Sequence, residues 1–300
     1  MWRVIESVRQ RIMKKPVENG AGSSAESLVF SEFDLAHEMI LGKTEIGEAI
    51  RLVEYAISVA ARTPGDSKFA NATAALASFV RAVRDLKAAL VLCQYHHYGQ
   101  AMALMRSVQE AAGIGRTMAH SGKVAEKWIN GEWQSDAKAR QFVANVMLRD
   151  EPSETKEEAV SAFEETYEFL SSWAHVTVSS ALIPYLKDLG ERGYGFELEP
   201  SFDQTLLADV LEWISKQALH LVYAVRNSAA DAAVFGPEWN SRLDDLGTRV
   251  AGDFAQPARR DRQEFEESYE RILRNLRPNS ELKKRLKRDP NSVQNLLSDT

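Results

Sequence analysis

The sequence predicts an all-α protein: a helical bundle with one short hairpin-like segment and a charged helical tail. Three observations predict this. Apolar residues recur at spacings of three and four over most of the 300 residues, the period of a helix with one buried face. Turn residues interrupt the pattern at Thr63-Pro64-Gly65-Asp66, Asp150-Glu151-Pro152-Ser153 and Gly236-Pro237, as helix ends require. Only residues 190–200, GERGYGFELEP, read as strand or hairpin.

Taken in order, residues 2–15 form a short basic amphipathic helix with Val4, Ile5, Val8, Ile12 and Met13 on one side. Such a segment docks onto its own protein more often than onto a membrane surface. Pro16 to Ser24 is a linker by composition. Residues 25–62 read as one long or two abutting helices, with breaks at Gly42 and Gly47. Helix resumes over Asn71–Gln94, and Gly99 then disfavours its continuation by about 1 kcal/mol relative to alanine. A kink or turn is expected there. The central helix runs on to His120, and two shorter helices cover 123–130 and 135–149. The next spans 155–173, with Ser153 or Thr155 as N-cap and Val160, Phe163, Tyr167 and Leu170 inward. Ser201 caps a helix over about 203–234. Three units follow: residues 1–24, a bundle over 25–236 and a polar helical tail over 237–300. In the tail, a helix at 258–276 precedes the basic run Lys283, Lys284, Arg285, Lys287 and Arg288, which reads as a solvated face.

Composition narrows the function classes. Hydrophobic residues make up 44% and charged residues 27%, which excludes wholesale disorder. The 37 basic and 43 acidic residues leave a net charge of −6, which argues against indiscriminate nucleic-acid binding. Cys93 is the single cysteine, so no intramolecular disulfide is possible, and its apolar surroundings predict a buried thiol. No apolar stretch reaches the roughly 18 residues that span a membrane. A cytoplasmic location in a bacterium-like setting is expected, with no cofactor.

The chemistry concentrates in Leu90–His120. Arg106 and Glu110 lie four apart, one turn from each other on the same flank. They form either a solvated surface pair or a partly buried pair that reaches a polar group on another helix. Gly113 and Gly115 predict close approach of a neighbouring helix. A second cluster comes later: Tyr167, then Ser171 and His175 on one face if the helix continues. Six histidines occur without metal-ligand spacing, so no metal site is expected. Gly42-Lys43-Thr44 lacks the first glycine and strand of a phosphate loop, and Gly113-Ile114-Gly115 lacks the third glycine of a dinucleotide site. No GxSxG elbow accompanies Ser171 and His175.

Tyr98, Gly99, Ala101, Leu104, Arg106 and Glu110, followed by Tyr167, Leu170, Ser171 and His175, resemble the motif pair of a family of uncharacterised all-helical bacterial proteins, a domain of unknown function. The resemblance covers roughly residues 75–235. That family is similar in outline to the HEPN superfamily, whose helical members include dimeric ribonucleases of toxin and antiviral systems. Their signature is an arginine and a histidine with four to six residues between them; here Arg116 and His120 have three residues between them. The resemblance implies a helical fold and two functions. One is an interaction or sensor module with a protein partner or as a homodimer. Arg106, Glu110, Tyr167, Ser171 and His175 would then form a polar network in its core. The other is a ribonuclease or nucleotide-handling enzyme. Arg106, Glu110 and His175 are its catalytic candidates; Tyr98, Tyr167, Ser171, Arg116 and His120 are its binding candidates, with RNA or a nucleotide as ligand.

Overall fold

The computed structural model describes residues 23–62, 69–132, 136–175, 185–188, 194–196, 200–229 and 232–254. The amphipathic segment 2–15, most of the linker, the Thr63–Asp66 turn, the helix at 258–276 and the basic run lie outside the described residues.

Nine α-helices are found among the described residues: α1 (Ser23–Gly42), α2 (Thr44–Arg62), α3 (Phe69–Gln94), α4 (Tyr98–His120), α5 (Gly122–Ile129), α6 (Asp136–Phe142), α7 (Ser153–Ala174), α8 (Gln204–Arg226) and α9 (Pro237–Phe254). A π-helical turn, Val143–Met147, extends α6. Strands β1 (Leu186–Asp188) and β2 (Tyr194–Phe196) pair antiparallel, with Lys187 opposite Gly195.

The bundle is built around α4, which packs against α3, α8, α7, α6 and α5. Its residues from Ala111 to Met118 are all buried, so this half is enclosed on every side rather than amphipathic. Small residues make that enclosure possible. A Cβ on Gly115 would lie 2.7 Å from Cε1 of Phe79, and one on Gly113 would lie 3.0 Å from the Ala139 Cβ. α3 and α6 therefore approach the α4 backbone at these two points. The core on either side holds Phe79, Leu86, Met102, Met105, Leu207, Leu211, Ile214 and Leu221, each less than 2% exposed.

α3 and α4 form a helical hairpin whose turn is Tyr95-His96-His97. His96 takes the left-handed conformation, φ +63°, which reverses the chain without a glycine. The His97 N–H donates to the Leu92 carbonyl at 2.9 Å. Gly99 lies inside α4, one residue beyond its start. The break between α1 and α2 falls at Lys43, directly after Gly42, while Gly47 is internal to α2.

Two caps differ from expectation. α7 starts after Pro152, and no side chain caps it. α8 is capped by Asp203 rather than Ser201, its carboxylate accepting from the Leu206 N–H at 2.9 Å. α8 ends at Arg226, and a 3-10 turn at Ala232–Phe235 leads to Gly236 at φ +86°. Pro237, read from sequence as the start of a polar tail, opens α9 on the bundle itself. Trp239, Leu243, Leu246 and Val250 are buried in the same core. The Trp239 indole N–H donates to the Leu52 carbonyl of α2 at 3.0 Å. Glu48 of α2 pairs with both Arg242 and Arg249 of α9.

The Gly115–Phe79 contact has a direct test. Gly115→Ala forces a methyl into a fully packed ring, and overpacking of this kind costs about 1–3 kcal/mol. Gly42→Ala, with nothing within 4 Å of its Cβ, is expected to change stability by less than about 0.5 kcal/mol. Urea unfolding of the two variants checks this, and equal midpoints would contradict the packing described.

Candidate functional site

Arg106 sits on the flank of α4 that meets the C-terminal half of α7. Its Nε donates to Glu110 Oε1 at 3.1 Å, one turn along the same helix. Its Nη2 donates to the Tyr167 hydroxyl at 2.7 Å, and its Nη1 lies 2.7 Å from Nε2 of His175. The Tyr167 hydroxyl donates in turn to Glu110 Oε1 at 3.2 Å. The guanidinium carbon also lies 5.0 Å from the Tyr167 ring centroid, so the cation touches the ring as well as its hydroxyl. Arginine offers five N–H donors in a planar fork. Three of its nitrogens are used here, by partners on two helices. Nε2 of His175 must accept in this contact, which puts the neutral ring's proton on Nδ1.

The sequence pattern allowed Arg106 and Glu110 to be either a solvated pair or a partly buried one that crosses to another helix. The crossing arrangement is the one found. The cluster is not sealed, however: the Arg106 side chain is 20% exposed, Glu110 is 41% exposed, and His175 lies at the surface.

α7 ends at Ala174, so His175 does not continue the helix. It adopts extended backbone, φ −104° and ψ 161°, while its N–H still bonds the Ser171 carbonyl. That turn swings the imidazole onto Arg106. Ser171 does not join: its Oγ is buried and has no hydrogen-bond partner.

The other candidates lie apart. Tyr98, at the start of α4, is buried, and its hydroxyl bonds Nδ1 of His96 at 3.2 Å and the Asp203 N–H at 3.3 Å. It fastens the α3–α4 turn to the start of α8, and burial pushes its phenol above the usual range. His120 bonds the Asn227 carbonyl at 2.7 Å through Nε2 and lies against Phe142. Arg116 is 5% exposed, on a buried face of α4, and burial lowers its guanidinium to about 10. Cys93 is fully buried, its thiol raised to about 12 by that burial. Among the described residues no three His, Cys, Asp or Glu side chains converge as metal ligands would.

Sequence reasoning missed two features beside the cluster. A groove of about 350 Å³ runs along α3 and α4, lined by Arg81, Ser107, Glu110 and Trp128 among others. Ser107 donates to Asp85 at 2.6 Å and accepts from Arg81 at 3.1 Å. Ser107 follows Arg106 directly, so one turn of α4 feeds both polar networks. The second feature is the stripe Met105, Gln109, Ala112, Arg116, spaced four, three and four. That spacing was the available signal that Gln109 and Arg116 share a buried face. The Gln109 amide reaches the Phe163 carbonyl at 3.4 Å, and Phe163 packs edge-on against His220 of α8.

His220 is held neutral, lowered to about 3 by burial and then by the Arg116 charge. The sign follows directly. Between pH 6.5 and about 3 the unfolded chain binds a proton at His220 that the folded chain refuses, so stability falls as pH drops through this window. His220→Gln is expected to lessen that loss, and the difference from wild type grows from pH 6.5 to about pH 5. Urea midpoints across this range measure it; parallel profiles would contradict the buried neutral imidazole.

Comparison with protein-family models, with curated proteins and with solved structures finds no match to this chain.

Proposed function

We propose that this chain is a helical interaction or sensor module in which the Arg106 cluster clamps the end of α7 onto α4. One observation carries the reading: a single guanidinium engages Glu110, Tyr167 and His175 at once. Such a set of charge-assisted bonds fixes the relative position of two helices. It also engages three of the five N–H donors that an incoming phosphate would use. The partner is another protein or a second copy of the chain. No described helix is long and apolar enough to cross a membrane.

A second reading has its own support. Arg106 and His175 touch at 2.7 Å on a partly open surface, and arginine with histidine is the pair by which HEPN-like ribonucleases act. In those enzymes a short spacing separates the two; here 69 positions do. On this reading Arg106 would bind phosphate, His175 would move the proton, and the chain would serve a bacterial toxin or antiviral defence system.

Two measurements separate the readings. Arg106→Ala is expected to lower stability by about 1–2 kcal/mol, a moderate figure because Glu110 remains hydrated. Purified wild-type chain is expected to leave RNA intact, and overexpression to be harmless. An unchanged Tm in Arg106→Ala would remove the clamp. RNA loss or toxicity that His175→Ala abolishes without loss of fold would establish the ribonuclease instead.

A further inference from the structure

Arg116 is a buried guanidinium without a counter-charge. It is 5% exposed, and its Nε has no hydrogen-bond partner. Among the described residues no hydrogen bond or ion pair to this side chain occurs. Its own field falls on His220, which burial and that field together keep neutral. A buried ion left uncompensated is strongly destabilising, so a native fold that keeps one calls for an explanation.

The surrounding interface is polar in the same incomplete way. Gln109 lies two turns before Arg116 on α4, and Gln217 one turn before His220 on α8. Both are buried, and the carbonyl oxygen of each lacks a partner. On the α7 side Phe163 packs against His220. A guanidinium presents a planar fork that matches two oxygens of a carboxylate or phosphate. A neutral imidazole supplies a further hydrogen bond without adding charge, while the orphaned glutamine carbonyls accept and so suit a hydroxyl or N–H elsewhere on the ligand.

We propose that Arg116, beside His220, binds a small oxyanion, the carboxylate or phosphate group of a ligand held between α4, α7 and α8. The site is independent of the Arg106 clamp: ten residues of helix separate the two arginines, about 15 Å along α4 at 1.5 Å per residue. The ligand's charge neutralises Arg116, so its binding stabilises the folded chain by mass action.

The test is thermal unfolding of the full chain in chloride buffer, and in the same buffer with inorganic phosphate or acetate at matched ionic strength. A saturable rise in Tm with phosphate identifies a phosphate-type ligand, and a rise with acetate a carboxylate. Arg116→Met is expected to melt higher than wild type in chloride and to respond to neither anion. A wild type unmoved by both anions overturns the proposal and leaves an ordered water as the occupant. A response that survives in Arg116→Met overturns it too. If Arg116→Met does not fold, calorimetric titration decides: wild type binds phosphate or acetate saturably and Arg116→Lys binds at least about tenfold more weakly. Equal binding, or none, counts against the site.

Discussion

A helix that buries only Leu170 and Trp173 among its 22 residues needs a hold beyond apolar contact, and α7 has one in the Arg106 guanidinium. Burying a large aliphatic side chain contributes about 1.5–3 kcal/mol, which two residues cannot extend far along a six-turn helix. Arg106 reaches from the best-buried helix of the bundle to one that buries little of its own surface. It meets Tyr167 and, one residue past the helix end, His175. This contact therefore joins the Arg140–Glu164 ion pair and the Phe169–Trp213 stack in holding α7 in place.

Arg106 can take that role because α4 is packed on every side a turn further along. Gly113 and Gly115 let α6 and α3 close on its backbone, and Ala111 to Met118 are enclosed on all sides. A cation presented from such a helix has a fixed origin, so its partners must come to it. The same enclosure has a cost further along. Arg116, two to three turns on, shares the buried half of α4 and receives no carboxylate. One helix thus carries two arginines in opposite electrostatic situations, the first engaged at all three nitrogens and the second without a partner among the described residues.

Part of this was legible in the sequence. Helical periodicity marked the elements, and the glycine pair marked the close approaches. The four-residue spacing of Arg106 and Glu110 marked their shared flank. Tyr167 and His175 were legible as candidates but not as partners, since 61 and 69 residues separate them from Arg106. Pairing over that distance depends on tertiary packing that no local pattern encodes. Ser171 and His175 were expected on one helical face. The helix stops between them, so His175 swings outward while Ser171 stays inside. α9 was hidden by its charges: Glu238, Arg242, Asp244, Asp245 and Arg249 masked the buried stripe of Trp239, Leu243, Leu246 and Val250. The caps at 153 and 201 failed for different reasons: α7 starts after Pro152 with no side-chain cap, and at α8 Asp203 rather than Ser201 lies at the N-cap.

The most direct measurement of the clamp is a double-mutant cycle between Arg106→Ala and Tyr167→Phe, read by urea unfolding. If the guanidinium holds α7 through the Tyr167 hydroxyl, the two losses are non-additive, with a coupling of about 1 kcal/mol. Strict additivity within about 0.3 kcal/mol would mean that the two side chains act separately, and that α7 keeps its place by some other contact.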